Sequence, residues 1–326
     1  MHYFLGVDIG SVSSNFVLLN KNFEITHKVY MRTQGNPVQA IKDGYAGIKE
    51  ELGDIGQISG VGSTGSGRNL ADMLLGADIV KNEITAHGVA ALHLYPNVRT
   101  IIEIGGQDSK MILLKDAIVH DFAMNTVCAA GTGSFLDQQA SRLNIPIEQF
   151  GEKAVMSRHP VRIAGRCGVF AESDMIHKQQ MGYSIEDILM GLCEALVRNY
   201  LSNVAKGKKI EPPIVFQGGV AANIGLKIAF EKVLGLPIEV AEHHNVMGAV
   251  GAAILAKEQV GIMKRTKFKG DKFISEGNFK SNSFECKGCP NLCEVIGIKR
   301  DEEILAYWGD RCKKWESSLN SWAEVL

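Results

Sequence analysis

GVDIGSVSSNFVLL (6–19) and IIEIGGQDSKMILL (101–114) align without a gap, and this match decides the fold. In each copy an apolar strand carries one acidic residue, Asp8 or Glu103, two positions before a glycine, Gly10 or Gly105. A polar or glycine turn follows, and a second apolar strand returns. One such hairpin is an ordinary turn with an aspartate near it. Two of them, about 95 residues apart, predict duplicated domains that face each other across a cleft. The N–H groups of the two turns would then clamp a polyphosphate from both sides, with Asp8 toward its metal ion.

Outward from the hairpins, 38–52 reads as a helix, and VGSTGSGRNLAD (61–72) as a glycine-rich turn and then a helix. EITAHGVAALHLYP (83–96) is an alanine-rich helix ended by Pro96, able to pack closely as a connector between domains. NVMGAVGAAILAKE (245–258) matches it, and Gly248 and Gly251 permit a tight helix crossing. PPIVFQGGVAANIGLKIAFEKVLG (212–235) reads as a strand, a Gly218-Gly219 turn and a helix. It is the third glycine turn after an apolar strand, where a flat ligand or phosphate can approach the backbone.

Two cysteines stand in matching places. NTVCAAGTGSFLD (125–137) sets Cys128 before a small-residue turn and a helix expected over 134–144. PVRIAGRCGVFAESDMIHKQQ (160–180) reads as a strand, then Cys167, then another helix. A thiolate at a helix start faces unpaired N–H groups and the positive end of the dipole. The position suits an anion, a low-pKa thiol or a cysteine-held cluster. Cys193, inside GLCEALVRNYLSNVA, reads as core, in a helix that starts at Ser184 with Asp187 in capping-box spacing.

The chain of 326 residues is 45% apolar with a net charge of −1, which gives no reason to expect nucleic acid or an acidic membrane as partner. No apolar run reaches the roughly 18 residues of a spanning helix. Tyr3–Val7 runs straight into the first motif rather than into a signal-peptide layout, so a cytoplasmic location is expected. Cysteines there are free thiols or metal ligands rather than disulfides.

The tail differs in composition. MKRTKFKGDKFISEGNFKSNSF (263–284) has six Lys/Arg against two acids and reads as a solvated basic linker. Beyond it, Cys286, Cys289, Cys293 and Cys312 follow a C-x2-C-x3-C-x18-C pattern, a second metal site for zinc or an iron–sulfur cluster.

In this order, GVDIGSVSSNFVLL, IIEIGGQDSKMILL, NTVCAAGTGSFLD and RCGVFAES resemble the ATP-dependent activators of 2-hydroxyacyl-CoA dehydratases. That family is grouped with the ATPase subunits of benzoyl-CoA reductase, and related activators serve double-cubane cluster reductases. The resemblance runs over residues 3–258. It implies an α/β fold of duplicated acetate kinase, sugar kinase, Hsp70 and actin type (ribonuclease H-like) with a cleft between the domains. The expected divisions are 1–96, 97–262 with the cluster cysteines, and 263–326 with the basic linker and the cysteine-rich module.

The resemblance also implies a homodimer sharing one 4Fe–4S cluster, held by Cys128 and Cys167 of each chain. Mg-ATP would lie on Gly10, Ser11, Ser13, Gly105 and Gly106, with Gly218, Gly219 and Asn223 around the adenosine. Asp8 would hold Mg2+ through water, and Gln107 or Asp108 would orient the attacking water. Glu103 stands where many members carry aspartate. The implied activity is ATP-driven transfer of a low-potential electron from ferredoxin or flavodoxin to a dehydratase or double-cubane reductase. Two other readings of the residues stay open. One is a small-molecule kinase of the same fold, since Asn82-Glu83 near the connector resembles an acidic catalytic position of sugar kinases. The other is a nucleotide-switched adaptor whose cysteine tail binds zinc.

Overall fold

The computed structural model describes residues 2–53, 57–125, 128–312 and 314–315, so the end of the expected C-terminal module, 316–326, lies outside the described residues. β1 (His2–Ile9), β2 (Ser13–Leu19) and β3 (Ile25–Arg32) form an antiparallel meander. α1 (Pro37–Leu52) leads to β4 (Gln57–Thr64), parallel to β1, and α2 (Arg68–Leu75) leads to β5 (Ile79–Val80), parallel to β4. The sheet order is β3-β2-β1-β4-β5.

After α3 (Glu83–Leu94) the pattern repeats. β6 (Thr100–Ile104), β7 (Ser109–Lys115) and β8 (Ile118–Asn125) form the second meander. Four helices follow: α4 (Gly133–Arg142), α5 (Ile147–Val155), α6 (Gly168–Gln180) and α7 (Ile185–Asn203). β9 (Ile214–Gln217), α8 (Ile224–Leu234) and β10 (Ile238–Val240) complete a sheet ordered β10-β9-β6-β7-β8, with β9 parallel to β6 and to β10. Reading β6 for β1 and β7 for β2, the two sheets have one topology. The register repeats as well: Asp8 faces Asn15 and Glu103 faces Lys110, the positions that the gapless match equates. Each turn closes alike, with Gly10 N donating to Ser13 O at 2.8 Å and Gly105 N to Asp108 O at 3.0 Å.

The small residues of α9 (Met247–Met263) let it lie on the first sheet. A side chain at Gly6 of β1 would run into Ala249 O, and one at Gly62 of β4 into Ala252 O. Gly251 meets α3 at Ala86 O, so the two connector helices cross backbone to backbone. Val17, Ile101, Ile112, Ala90 and Val250 share one core cluster, which joins both sheets through these helices. A Gly251→Val variant is therefore expected to lose about 3 kcal/mol of stability, read as a lower urea midpoint, because neither helix backbone can yield without opening that core.

Two expectations are corrected. Residues 160–166 are not a strand. Val161 and Ile163 point inward in strand-like alternation, but α6 and α7 rather than a sheet edge hold their backbone, with Val161 N donating to Asp187 O at 3.1 Å. Asp187 accepts from Arg158 N and His159 N, Asp174 from Ala164 N, and Arg198 donates to Ile163 O. The basic stretch is not a solvated linker either. The buried Asp78 carboxylate accepts from Thr266 Oγ1 at 2.8 Å and Lys267 N at 2.7 Å. α10 (Asp271–Glu276) and the antiparallel sheet β11 (Phe279–Glu285), β12 (Glu294–Arg300) and β13 (Glu303–Trp308) follow. Ile274, Ile298, Phe268, Phe273 and Phe279 join the core of the first lobe, so the lysines cover a packed seam.

Candidate nucleotide cleft and cysteine face

The two hairpin turns face each other over a cavity of about 440 Å3. Asp8, Gly10, Ser11, Ser13, Gly105, Gly106, Gln107, Asp108, Gly218, Gly219 and Asn223 all line it. The sequence places them in three distant segments, and the duplicated topology brings them together. Gly218, at φ +93°, closes the β9 end so tightly that a side chain there would strike Ile104 O. Asn223 caps α8 through Oδ1, which accepts from Leu226 N at 3.2 Å, while its buried Nδ2 has no protein partner. Asn15 Oδ1 is likewise buried and unpaired beside Asp8. Ser66, from the glycine-rich stretch after β4, also reaches the cavity.

The centre of the cleft is a charge cluster that the sequence reading did not assemble. Lys110 Nζ lies 2.7 Å from Glu83, 3.0 Å from Glu103 and 2.9 Å from Asp108, and its side chain is 2% exposed. Burial opposes the cation, but Glu103, Glu83 and Asp108 outweigh it and push its pKa up. Burial also opposes the Glu83 carboxylate, yet Lys110 brings its pKa below the ordinary value. Asp8 goes the other way. Burial, with Glu83 and Asp108 nearby, raises it from 3.8 to about 7 against the pull of Lys110 and a hydrogen bond with Asn15. Glu103 is raised from 4.5 to about 7, first by burial. His87, buried and near Lys110, is lowered to about 3 and is neutral.

These shifts give a stability prediction. Between the ordinary carboxylate range and about 7, the folded chain holds protons on Asp8 and Glu103 that the unfolded chain has released. Stability then falls as pH rises through that window. The nucleotide-free chain is expected to show a falling Tm across it, and Asp8→Asn to flatten the slope. An unchanged slope in Asp8→Asn would refute the assignment.

Cys128 and Cys167 lie outside the cavity, each half-buried. Cys128 precedes the 3-10 turn 129–131 that enters α4, and Cys167 is the N-cap of α6. Neither side chain makes a capping hydrogen bond. Asn199 of α7 draws their loops together: its Nδ2 donates to Gly165 O at 2.7 Å and lies 3.8 Å from Cys128 Sγ. The same turn is tied to the cleft. Gly133 N donates to Gly105 O at 2.9 Å, Ser134 N to Gly106 O at 2.8 Å, and Ser134 Oγ to Gly106 O at 2.6 Å. Arg32 of the first lobe reaches Asp137 on α4 at 3.3 Å. Cys193 is fully buried in α7, as expected.

Among the described residues no helix is long and apolar enough to cross a membrane. A ROK family glucokinase from Streptomyces griseus, solved with glucose and AMPPNP, superposes with a TM-score of 0.50 over 78% of this chain and 99% of its own, at 13% identity, which shows the shared fold alone. The activator of the 2-hydroxyisocaproyl-CoA dehydratase from Clostridium difficile, solved with bound ADPNP, superposes with a TM-score of 0.72 at 32% identity, over 80% of this chain and 97% of that one. The (R)-2-hydroxyglutaryl-CoA dehydratase activating ATPase of Acidaminococcus fermentans is 35% identical over 258 residues, 78% of this chain and 96% of that protein. A sequence profile matches residues 5–256, from the first strand through the connector helix that closes the cleft, and by it the chain belongs to the BadF/BadG/BcrA/BcrD ATPase family.

Proposed function

We propose that the chain is an ATP-hydrolysing iron–sulfur electron donor, a homodimer that takes an electron from ferredoxin or flavodoxin and passes it to a dehydratase or double-cubane cluster reductase. The observation that carries this is the bond set from Gly133 and Ser134 to Gly105 and Gly106. It fastens the turn after Cys128 to the turn assigned to phosphate.

The cleft suits Mg-ATP. Glu83, Glu103 and Asp108 stand around Lys110 with Asp8 lining the same cavity, an acidic set that a divalent ion would balance. Mg2+ keeps several waters and takes few protein oxygens, which fits Asp8 as an outer partner. The N–H groups inside the two turns, after Gly10 and after Gly105, orient the phosphates, and Gln107 or Asp108 directs the attacking water. The free Asn223 Nδ2 donates toward the adenosine.

Cys128 and Cys167 fit half of a four-thiolate set, and a twofold dimer would supply the other half. Val169 and Phe170, just after Cys167, are 71% and 66% exposed, as an apolar rim awaiting a second copy would be. A bound 4Fe–4S cluster would supply one-electron redox chemistry. The protein's part is mechanical. Closure of the lobes on nucleotide draws on Gly105 and Gly106, Gly133 and Ser134 follow, and α4 turns at the cysteine face. About 60 mV of one-electron driving force equals about 1.4 kcal/mol, a scale that lobe closure can reach.

The test is anaerobic purification. Expected are about four iron and four acid-labile sulfide per pair of chains, and ATP-dependent reduction of an acceptor. ATP turnover stimulated by a sugar or acid, with no iron, would replace this reading by the kinase.

A further inference from the structure

The tail cysteines lie beyond residue 256, where the family match ends, and take no part in the cleft. Glu285 faces Glu294 at the end of the β11–β12 ladder, so Cys286 and Cys293 form the next facing pair, joined by Cys286 N donating to Cys293 O at 2.8 Å. Cβ atoms of such a pair stand about 4.5–5.5 Å apart on one face. Cys289 lies in the loop between them, which turns back through Leu292 N to Cys289 O at 3.2 Å. Cys312 arrives from the third strand: Gly309, at φ +102°, abuts Glu294 O, one residue from Cys293. Three chain segments thus bring four thiols to one end of one small sheet.

The other end is fastened differently. Ile298 of β12, Phe279 of β11 and Leu305 of β13 pack into the first lobe's core. A three-stranded sheet of this size is marginal by itself, and among the described residues its cysteine end packs Phe284, Tyr307 and Trp315 on one another rather than into the first lobe's core. That end carries donors and positive charge near the sulfurs. Trp315 Nε1 approaches Cys286 Sγ at 3.4 Å. Lys287 and Arg311 add positive charge beside the cysteines in sequence. Among the described residues no three His, Cys, Asp or Glu side chains already stand in a metal-holding arrangement. Cys286 and Cys293 are half-buried while Cys289 and Cys312 are exposed, so coordination requires the latter two to turn inward.

We propose that Cys286, Cys289, Cys293 and Cys312 bind one zinc ion as a tetrahedral tetrathiolate, which staples the free end of the β11–β13 sheet. Zinc–sulfur bonds of about 2.3 Å place the sulfurs roughly 3.8 Å apart, a spacing that a facing strand pair and a C-x2-C turn can meet. A four-iron cube spreads its sulfurs over a wider frame. Binding releases the thiol protons to solvent, and the surrounding lysines and arginine balance the anionic site.

The proposal is independent of the electron-transfer reading, and its test keeps the two apart. The full chain, purified anaerobically, is expected to carry about one zinc per chain. Cys128→Ser should keep it, and Cys286→Ser or Cys293→Ser should lose it. Metal-stripped wild-type chain given cobalt(II) should show sulfur-to-cobalt charge transfer and tetrahedral ligand-field bands that zinc abolishes, which serves even where a variant fails to fold. Removing zinc should open 279–315 to protease. The proposal is overturned if the four thiols titrate freely in the presence of added zinc. It is equally overturned if mass spectrometry finds a Cys286–Cys293 disulfide, or if Cys286→Ser removes iron and sulfide instead of zinc.

Discussion

A Lys110→Met variant is expected to lose about 3–5 kcal/mol of folding stability and to drop ATP turnover on the order of tenfold or more. Methionine restores much of the lysine's volume, so little of the loss comes from a cavity. The loss comes from Glu83, Glu103 and Asp108, all within 3.0 Å of the missing ammonium and left facing one another. Removing one partner of a buried pair is far more costly than replacing the whole set, because the remaining charge has neither water nor counter-ion. The carboxylates can escape only by taking protons. In wild type the raised Lys110 pKa keeps its stabilising effect intact across the neutral range, since that contribution is lost only as pH rises through the folded-state value. In the variant Glu83, held low in wild type by Lys110, joins Asp8 and Glu103 in keeping protons that the unfolded chain releases, so the deficit grows with pH. Denaturation at mildly acidic and mildly alkaline pH separates the cases. An equal deficit at both would mean that Lys110 acts only as a space-filler.

The same residue shows where sequence reading stops. The paired hairpins were legible because a turn's needs are local: an acid, one residue, a glycine and a returning apolar strand recur in fixed order. Lys110 obeys no such rule. Within SKMILLK it resembles a strand position turned to water, and its partners come from α3, from the facing strand and from its own turn. Asn199, toward the C-terminal end of α7, is equally silent until the fold sets it beside Cys128 and Gly165. β3 and β8 alternate between half-buried and exposed positions along their length, which blunted the apolar signal of an edge strand. For 263–284 the charge count concealed Phe268, Phe273 and Phe279, whose rings seat the segment on the first lobe. The alternation at 161–163 was real, but it reported only inward-facing side chains. Whether such a segment joins a sheet depends on who satisfies its backbone, and here α6 and α7 do.

Cys128→Ser is expected to abolish ATP-dependent electron transfer while leaving nucleotide binding intact. The substitution is close to isosteric, and serine is itself a good residue at a helix start, so the turn entering α4 should keep its shape and stability. The bonds from Gly133 and Ser134 to Gly105 and Gly106 involve neither sulfur nor its replacement and should persist. On the proposed reading the variant lacks one soft ligand per chain, two per dimer, and a hydroxyl is a poor substitute for thiolate toward iron. Iron and sulfide should fall together, and Cys167→Ser should reproduce the loss. Because the lobes still close, ATP hydrolysis should continue uncoupled from any acceptor. That dissociation distinguishes a redox ligand from a structural cysteine, whose replacement would weaken binding, turnover and folding together. A Cys128→Ser protein that retains its full iron and undiminished electron transfer would remove this residue from the redox centre, and the bonded path from the phosphate turn would then lead to nothing that carries an electron.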